Sequence, residues 1–306
     1  MVDNEGTFVF TKDSKGANRD NSNVLELVIK QPNIDTLSFH SIQLNKNYID
    51  EVKLKVDNLN KRYILNSFYY KKSRGSIEGL FTCFWNKVAD SAQAIGFMPI
   101  ADSIRDQART SGQLRFAMDN YFIRQVVAKK DGGFLLTAED YSTQSRSVNN
   151  SWSRYDYLNN YYYNPNSYYY NPYTGFYRPT SSFGNQSTRY YYGNVVILSF
   201  DKIGQLQWSR VINKDQFDDD NDNFLSFSTF NSGAGIHFLF NDDKNKNQII
   251  ANHSITGNGQ LTRNPTLKSQ EKGYTFMPRL SKQIGASQLI IPCAYRGYIC
   301  FAKIDL

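Results

Sequence analysis

The sequence predicts an all-β fold: a β-propeller of about five four-stranded blades, either incomplete or part of a longer ring, with one short helix and a long tyrosine-rich insertion. Three observations carry that reading. Residues 193–211, GNVVILSFDKIGQLQWSRV, form two strands around a tight turn. In the first strand Val195, Ile197 and Ser199 point to one face and Val196, Leu198 and Phe200 to the other, so both faces are apolar and expect cover. Asp201 opens the turn, where its carboxylate can accept the following amides, and Gly204 closes it. Leu206 and Trp208 then resume the alternation.

The second observation is recurrence. Copies of that apolar run occur at 23–29 (NVLELVI), 79–86 (GLFTCFWN), 247–253 (NQIIANH) and 297–305 (GYICFAKID), so strands begin near 24, 80, 195, 248 and 298. Neighbouring starts lie roughly 50 to 56 residues apart except across 80 to 195, a period that suits a blade with generous loops. The third is composition, with 21% charged and 15% aromatic residues, which favours short strands and polar turns over long helices. A chain of 306 residues can bury a large core as a single propeller domain, 1–306.

Taken in order, 7–43 give three strands, around 8–10, 24–29 and 37–44, and the opening strand of that blade is missing. Residues 48–98 make the clearest full blade: Val52, Leu54 and Val56 alternate with lysines, and 63–70 and 77–85 continue the meander. Between blades, Ile100, Ile104 and Ala108 recur at helical spacing, with Pro99 near the start and Ser111-Gly112 as a stop, predicting a short helix packed over a sheet edge. The next hairpin joins 122–128 to 134–139 through Asp131-Gly132-Gly133.

Residues 143–192 then interrupt the pattern as a Tyr/Asn/Pro-rich, low-complexity insertion within a blade, too poor in aliphatic residues for a core of its own. Strands follow at 224–230, 236–240 and 248–255, and three closing strands near 275–280, 287–293 and 298–304 leave the last blade one short. A closed ring could unite the two ends in one shared blade.

The segment 201–209, DKIGQLQWS, together with 130–137, KDGGFLLT, resembles repeat modules of uncharacterised exported proteins of Bacteroidota, generally β-propeller or propeller-like. The resemblance covers mainly 121–213. It implies an envelope or extracellular setting and an interaction role, and it brings no catalytic residues with it.

The chemistry is sparse. His40, His237 and His253 fall in no zinc-ligand spacing and read as strand or turn residues. In KDQFDDDNDN, residues 214–223, the carboxylates of Asp218, Asp220 and Asp222 are a weak Ca²⁺ candidate. They lack the Asp-x-Asp-x-Asp-Gly spacing and a terminal Glu, which favours a solvated loop. No nucleophile elbow, P-loop or dinucleotide fingerprint occurs, and no cofactor is expected. Glu78 and Glu139 fall near the ends of the expected strands and read as surface or turn residues.

Cys83, Cys293 and Cys300 sit in apolar strand patterns and read as buried thiols, with a Cys293–Cys300 pairing across a hairpin as the alternative. The net charge of +7 would suit an anionic partner, yet only 71–74 (KKSR) is clustered, which argues against nucleic acid. No run of 18 apolar residues exists, so no membrane span is expected, and the polar start predicts no leader in this sequence.

Three functions follow. The first is a non-enzymatic interaction scaffold of the cell envelope or exterior with a protein or glycan partner. The second is a glycan-binding module using the tyrosine insertion, with Tyr161, Tyr163, Tyr168, Tyr170, Tyr173 and Tyr177 as contact residues, since tyrosine offers a flat apolar face and a hydroxyl at small entropic cost. The third is an enzyme with an axial pocket, which would require converging carboxylates or histidines.

Overall fold

A computed structural model describes residues 1–13, 21–109, 118–145, 188–219, 221–242, 249–268 and 273–305. Its strands form five sheets, each drawn from one continuous stretch of chain. The first holds β1 (Phe8–Asp13), β2 (Leu25–Lys30) and β3 (Ser38–Ile42) in that order. In the second, β4 (Tyr48–Ile49) and β5 (Lys53–Asp57) share one edge of β6 (Arg62–Tyr70), followed by β7 (Gly79–Asn86) and β8 (Ser91–Pro99). The third holds β9 (Tyr121–Ala128), β10 (Phe134–Ser145), β11 (Thr188–Phe200) and β12 (Leu206–Ile212), and β13 (Gln216–Asp219) also pairs with β11.

The fourth is β14 (Phe227–Asn231), β15 (Gly235–Asn241), β16 (Ile249–Thr256) and β17 (Leu261–Lys268). In the fifth, β18 (Thr275–Phe276) and β19 (Lys282–Gln283) share one edge of β20 (Gln288–Tyr295), and β21 (Tyr298–Asp305) takes the other. Taking β4 with β5, β12 with β13 and β18 with β19 as interrupted strands, the sheets have three, four, four, four and three strands. This is the make-up of an all-β propeller, with successive meanders as blades. The five recurring apolar runs fall in five different sheets, as β2, β7, β11, β16 and β21.

Two details depart from the sequence reading. The strand expected over 275–280 is broken, because Pro278 has no amide to give a ladder and begins a 3-10 turn, Pro278–Leu280. β17 is a strand the sequence reading does not include; opposite Ala251 the register shifts, so Pro265 and Thr266 face one residue and the proline sits in a bulge. Among the described residues β1 pairs with β2 and β21 with β20, and the first and last sheets hold three strands each.

The described residues fall into two compact units: 1–139 with 196–209, and 140–145 with 188–195 and 210–305. In the first unit Val9, Leu25, Leu27 and Ile29 of the first sheet pack on Tyr63, Leu65, Phe81 and Trp85 of the second. The third sheet is reached through Phe84, whose ring centroid lies 5.8 Å from that of Phe134, itself stacked at 4.6 Å on Phe200. In the second unit Phe230, Leu239 and Ile250 of the fourth sheet close on Phe276, Leu289 and Ile291 of the fifth. Each such side chain contributes about 1.5–3 kcal/mol when fully buried, which is why two-sided apolar strands stack sheet on sheet. No described helix is long and apolar enough to cross a membrane.

The helix, α1 (Asp102–Ala108), buries Ile104 and Ala108. Arg105 Nη2 donates to the carbonyls of Ile77 and Glu78 at 2.8 and 3.0 Å, which holds the helix at the entry to β7. It ends at Ala108, where Arg109 is extended; the predicted stop at 111–112 lies outside the described residues.

Candidate functional site at the stem of the tyrosine-rich insertion

The third sheet extends beyond the boundaries read from sequence. β10 continues to Ser145 and β11 begins at Thr188, so Thr143 and Tyr190 to Tyr192 are strand residues. Tyr161, Tyr163, Tyr168, Tyr170, Tyr173 and Tyr177 lie outside the described residues, as does Asp220. What is described is the stem, made by the end of β10, the start of β11, and β13.

The acidic run supplies β13. Arg189 stands opposite Asp219, Tyr190 opposite Asp218, Tyr191 opposite Phe217 and Tyr192 opposite Gln216. Because side chains alternate, this register sorts the stem into two faces. Arg189, Tyr191, Phe217 and Asp219 share one face, and Tyr190, Tyr192, Gln216 and Asp218 the other.

On the first face Arg189 makes a two-pronged bond to Asp219, Nε to Oδ1 at 2.8 Å and Nη2 to Oδ2 at 3.0 Å. Asp219 foremost, and then Tyr191, hold the guanidinium above its ordinary pKa, so it stays charged. The guanidinium lies 4.9 Å from the Phe217 ring centroid, and the Tyr191 and Phe217 rings are 6.3 Å apart. Tyr191 Oη donates to Gln144 Oε1 at 3.3 Å. Phe217 is nevertheless 53% exposed. A cross-strand aromatic pair, a planar cation, a carboxylate and an amide thus lie together on an open strand face.

The opposite face is committed to the interior. Tyr192 is 2% exposed and its hydroxyl donates to Asp222 Oδ2 at 2.6 Å. Arg279 donates Nη1 to both that oxygen and Tyr192 Oη at 2.7 Å, and Nη2 to Asp222 Oδ1 at 3.0 Å. The buried Lys214 donates Nζ to the Tyr192 carbonyl and to Gln216 Oε1, each at 3.0 Å. Gln216 also accepts from the Ser226 amide at 2.9 Å and donates to the Asn241 carbonyl at 2.9 Å. Tyr141 of β10 packs its ring 4.8 Å from that of Tyr192. This network fixes the orientation of the stem.

The Ca²⁺ candidate is thereby located residue by residue. Asp218 lies across from Tyr190, Asp222 holds a guanidinium and a phenol, and Asp220 is outside the described residues. Among the described residues no three His, Cys, Asp or Glu side chains are grouped to hold a metal. The expectation for Glu139 needs correcting. Because β10 runs on to Ser145, Glu139 is a mid-strand residue with a fully buried side chain, accepting from Arg124 Nε at 2.9 Å.

The histidines serve as packing and hydrogen-bonding groups. His40 stands 4.7 Å from the Trp85 ring, His237 Nδ1 meets Asn252 Oδ1 at 3.0 Å, and His253 stacks on Phe240 at 5.4 Å. Sequence reading missed Phe217, Lys214, Gln216 and Arg279 as parts of the stem. The signal available was charge: 189–192 (RYYY) and 216–219 (QFDD) carry opposite charges at ends that match in an antiparallel pair.

No family model matches the chain, and no curated protein sequence does. Among solved structures, one similar fold is a GH43_1 enzyme from Xanthomonas citri, at 8% identity and a TM-score of 0.35, covering 98% of this chain and 83% of that one. Another is the WD40 domain of SCAP from fission yeast, at 9% identity and a TM-score of 0.26, covering 98% and 73%. A third is the SapL1 lectin in complex with alpha methyl fucoside, at 11% identity and a TM-score of 0.21, covering 92% of each chain. At these scores the fold rests on the strand pairing of this chain.

Proposed function

We propose that the chain is a non-enzymatic interaction propeller of the cell envelope or exterior that recognises a glycan through the open face of the stem. The observation that carries this is Phe217, half exposed beside Tyr191 and beneath a guanidinium already oriented by Asp219. Aromatic faces suit the apolar C–H faces of a sugar ring, and planar polar groups at their rim suit its hydroxyls. Binding of this kind needs no acid–base pair. The carboxylate on this face, Asp219, is held in a two-pronged bond by Arg189 and is poorly placed to take a proton. The envelope setting is supported by the resemblance of 201–209 and 130–137 to modules of exported proteins.

The test is retention on a polysaccharide array. Wild-type protein is expected to bind at least one glycan class, with Phe217→Ala and Arg189→Ala each weakening retention tenfold or more and circular dichroism unchanged. Deletion of 146–187 distinguishes a contribution of the tyrosine insertion from that of the stem. Absence of retention on every glycan would sink the glycan reading. Retention indifferent to both substitutions would remove the stem from it.

A further inference from the structure

The last hairpin carries a feature that the binding role does not use. Cys293 on β20 and Cys300 on β21 are direct cross-strand partners in the antiparallel ladder. Their sulfurs are 3.0 Å apart, and Cys300 Sγ also donates to the Cys293 carbonyl at 3.3 Å. The two thiols are reduced in this structure, and Cys83, in the other unit, is buried and separate. Directly opposed residues have Cα atoms about 4.5–5.5 Å apart, inside the range a disulfide spans, so the strands need not slide to close it.

We propose that Cys293 and Cys300 form a reversible redox pair, oxidised by a low-molecular-weight disulfide. The two thiols differ in the way such exchange requires. Cys293 is 1% exposed and its thiol is pushed up to about 12 by burial, then by Cys300, so it is a poor attacking group toward an outside reagent. Cys300 is partly exposed and lies on β21, which pairs with β20 alone among the described residues.

Cys300 therefore loses its proton and attacks one sulfur of the small disulfide, RSSR. A mixed disulfide forms at Cys300 and one thiolate, RS⁻, leaves. Cys293 then gives up its proton and attacks Cys300 Sγ at contact distance, expelling the second RS⁻. The two protons released convert both leaving groups to RSH. Two protein thiols have become one disulfide while RSSR has been reduced to two RSH, so electrons and atoms balance. The bond would staple β21 to the sheet on the side opposite β18 and β19.

The experiment uses the whole chain incubated with excess oxidised glutathione, then denatured, alkylated and digested. One alkylated cysteine, Cys83, and a peptide linking Cys293 to Cys300 are expected, reversed by reduced glutathione. In Cys293→Ser the mixed disulfide should persist at Cys300, since nothing resolves it. Alkylation of all three cysteines after oxidant treatment of wild type would overturn the proposal, as would a wild-type mixed disulfide at Cys300 that never resolves.

Discussion

Arg62 Nη1 donates to the carbonyl of Lys202 at 3.2 Å, across 140 residues of sequence. The same guanidinium takes Asp57 Oδ2 at 3.2 Å through Nε and lies 4.2 Å from the Phe84 ring centroid. It joins the β5–β6 turn of the second sheet to the Asp201–Gly204 turn of the third. Gly132 belongs to the same contact: at φ +84° it allows the β9–β10 turn to pass, and an added Cβ would meet Lys202 Cβ at 3.3 Å. Arg62→Lys cannot keep the fork, so Asp57, with 3% of its side chain exposed, loses its planar partner. Chemical denaturation should show a loss of about 1–3 kcal/mol, since lysine keeps the charge but cannot make both hydrogen bonds. A loss below about 0.5 kcal/mol, the range of ordinary surface substitutions, would mean that the contact does not join the two sheets.

How much of this was legible follows from where each strand lies. The recurring runs at 24, 80, 195 and 248 are β2, β7, β11 and β16, interior strands whose faces are largely buried. Two-sided burial leaves a continuous apolar run, which sequence displays directly. Edge strands leave less. β17, LTRNPTLK, looks like a loop because an edge tolerates Arg263, Asn264 and a bulged proline.

The stem was harder still. Asp222 is a cation candidate in sequence and Asp219 lies in the same acidic run, and only long-range pairing of Asp219 with Arg189, 30 residues upstream, and of Asp222 with Arg279, 57 downstream, reveals them as counter-charges. Local spacing carries no trace of such partners.

The Tyr192–Asp222–Arg279 contact sets the orientation of the stem, so its loss should be felt at both faces. Asp222→Asn keeps the shape but removes the charge that Arg279 and the phenol address. A destabilisation of about 1–2 kcal/mol is expected, because a guanidinium with 30% of its side chain exposed keeps its charge with only partial hydration and without the Asp222 counter-ion. Tyr192→Phe removes one hydroxyl and should cost about 1 kcal/mol. In a double-mutant cycle the two changes should couple; strict additivity would show that the triad does not act together.

Acid should weaken the fourth sheet through His253. Burial, and after it the nearby Arg263, disfavours the imidazolium and lowers the pKa below its ordinary 6.5. The unfolded chain then binds more protons as pH drops below about 6.5, so stability falls from there and levels off below the folded value. His253→Phe keeps the ring that stacks on Phe240 and removes the titration. The difference in denaturation midpoint between wild type and variant should therefore change between pH 7.5 and pH 5, tested pH by pH. Parallel profiles would contradict the assignment.

The amino-terminal turn offers the sharpest charge test. Asp3 has a fully buried side chain, with Oδ2 2.6 Å from Lys87 Nζ and 3.1 Å from Tyr63 Oη, while Oδ1 accepts the amides of Glu5 and Thr7 at 2.9 Å each. Burial alone would raise its pKa, but Lys87, the two amides and Tyr63 outweigh it and the value is lowered. The carboxylate therefore stabilises the fold above about pH 4, and that contribution disappears as pH falls through the lowered value. Asp3→Asn keeps the amide acceptor yet turns an NH₂ toward a lysine that is 9% exposed. The expected loss is about 2–4 kcal/mol at neutral pH. Adding Lys87→Met should recover part of it, because the buried charge, left with only the exposed Glu5 carboxylate at 3.4 Å, is then gone. If the double variant is as unstable as the sum of the singles, the cost comes from packing around the turn and not from the buried ion pair.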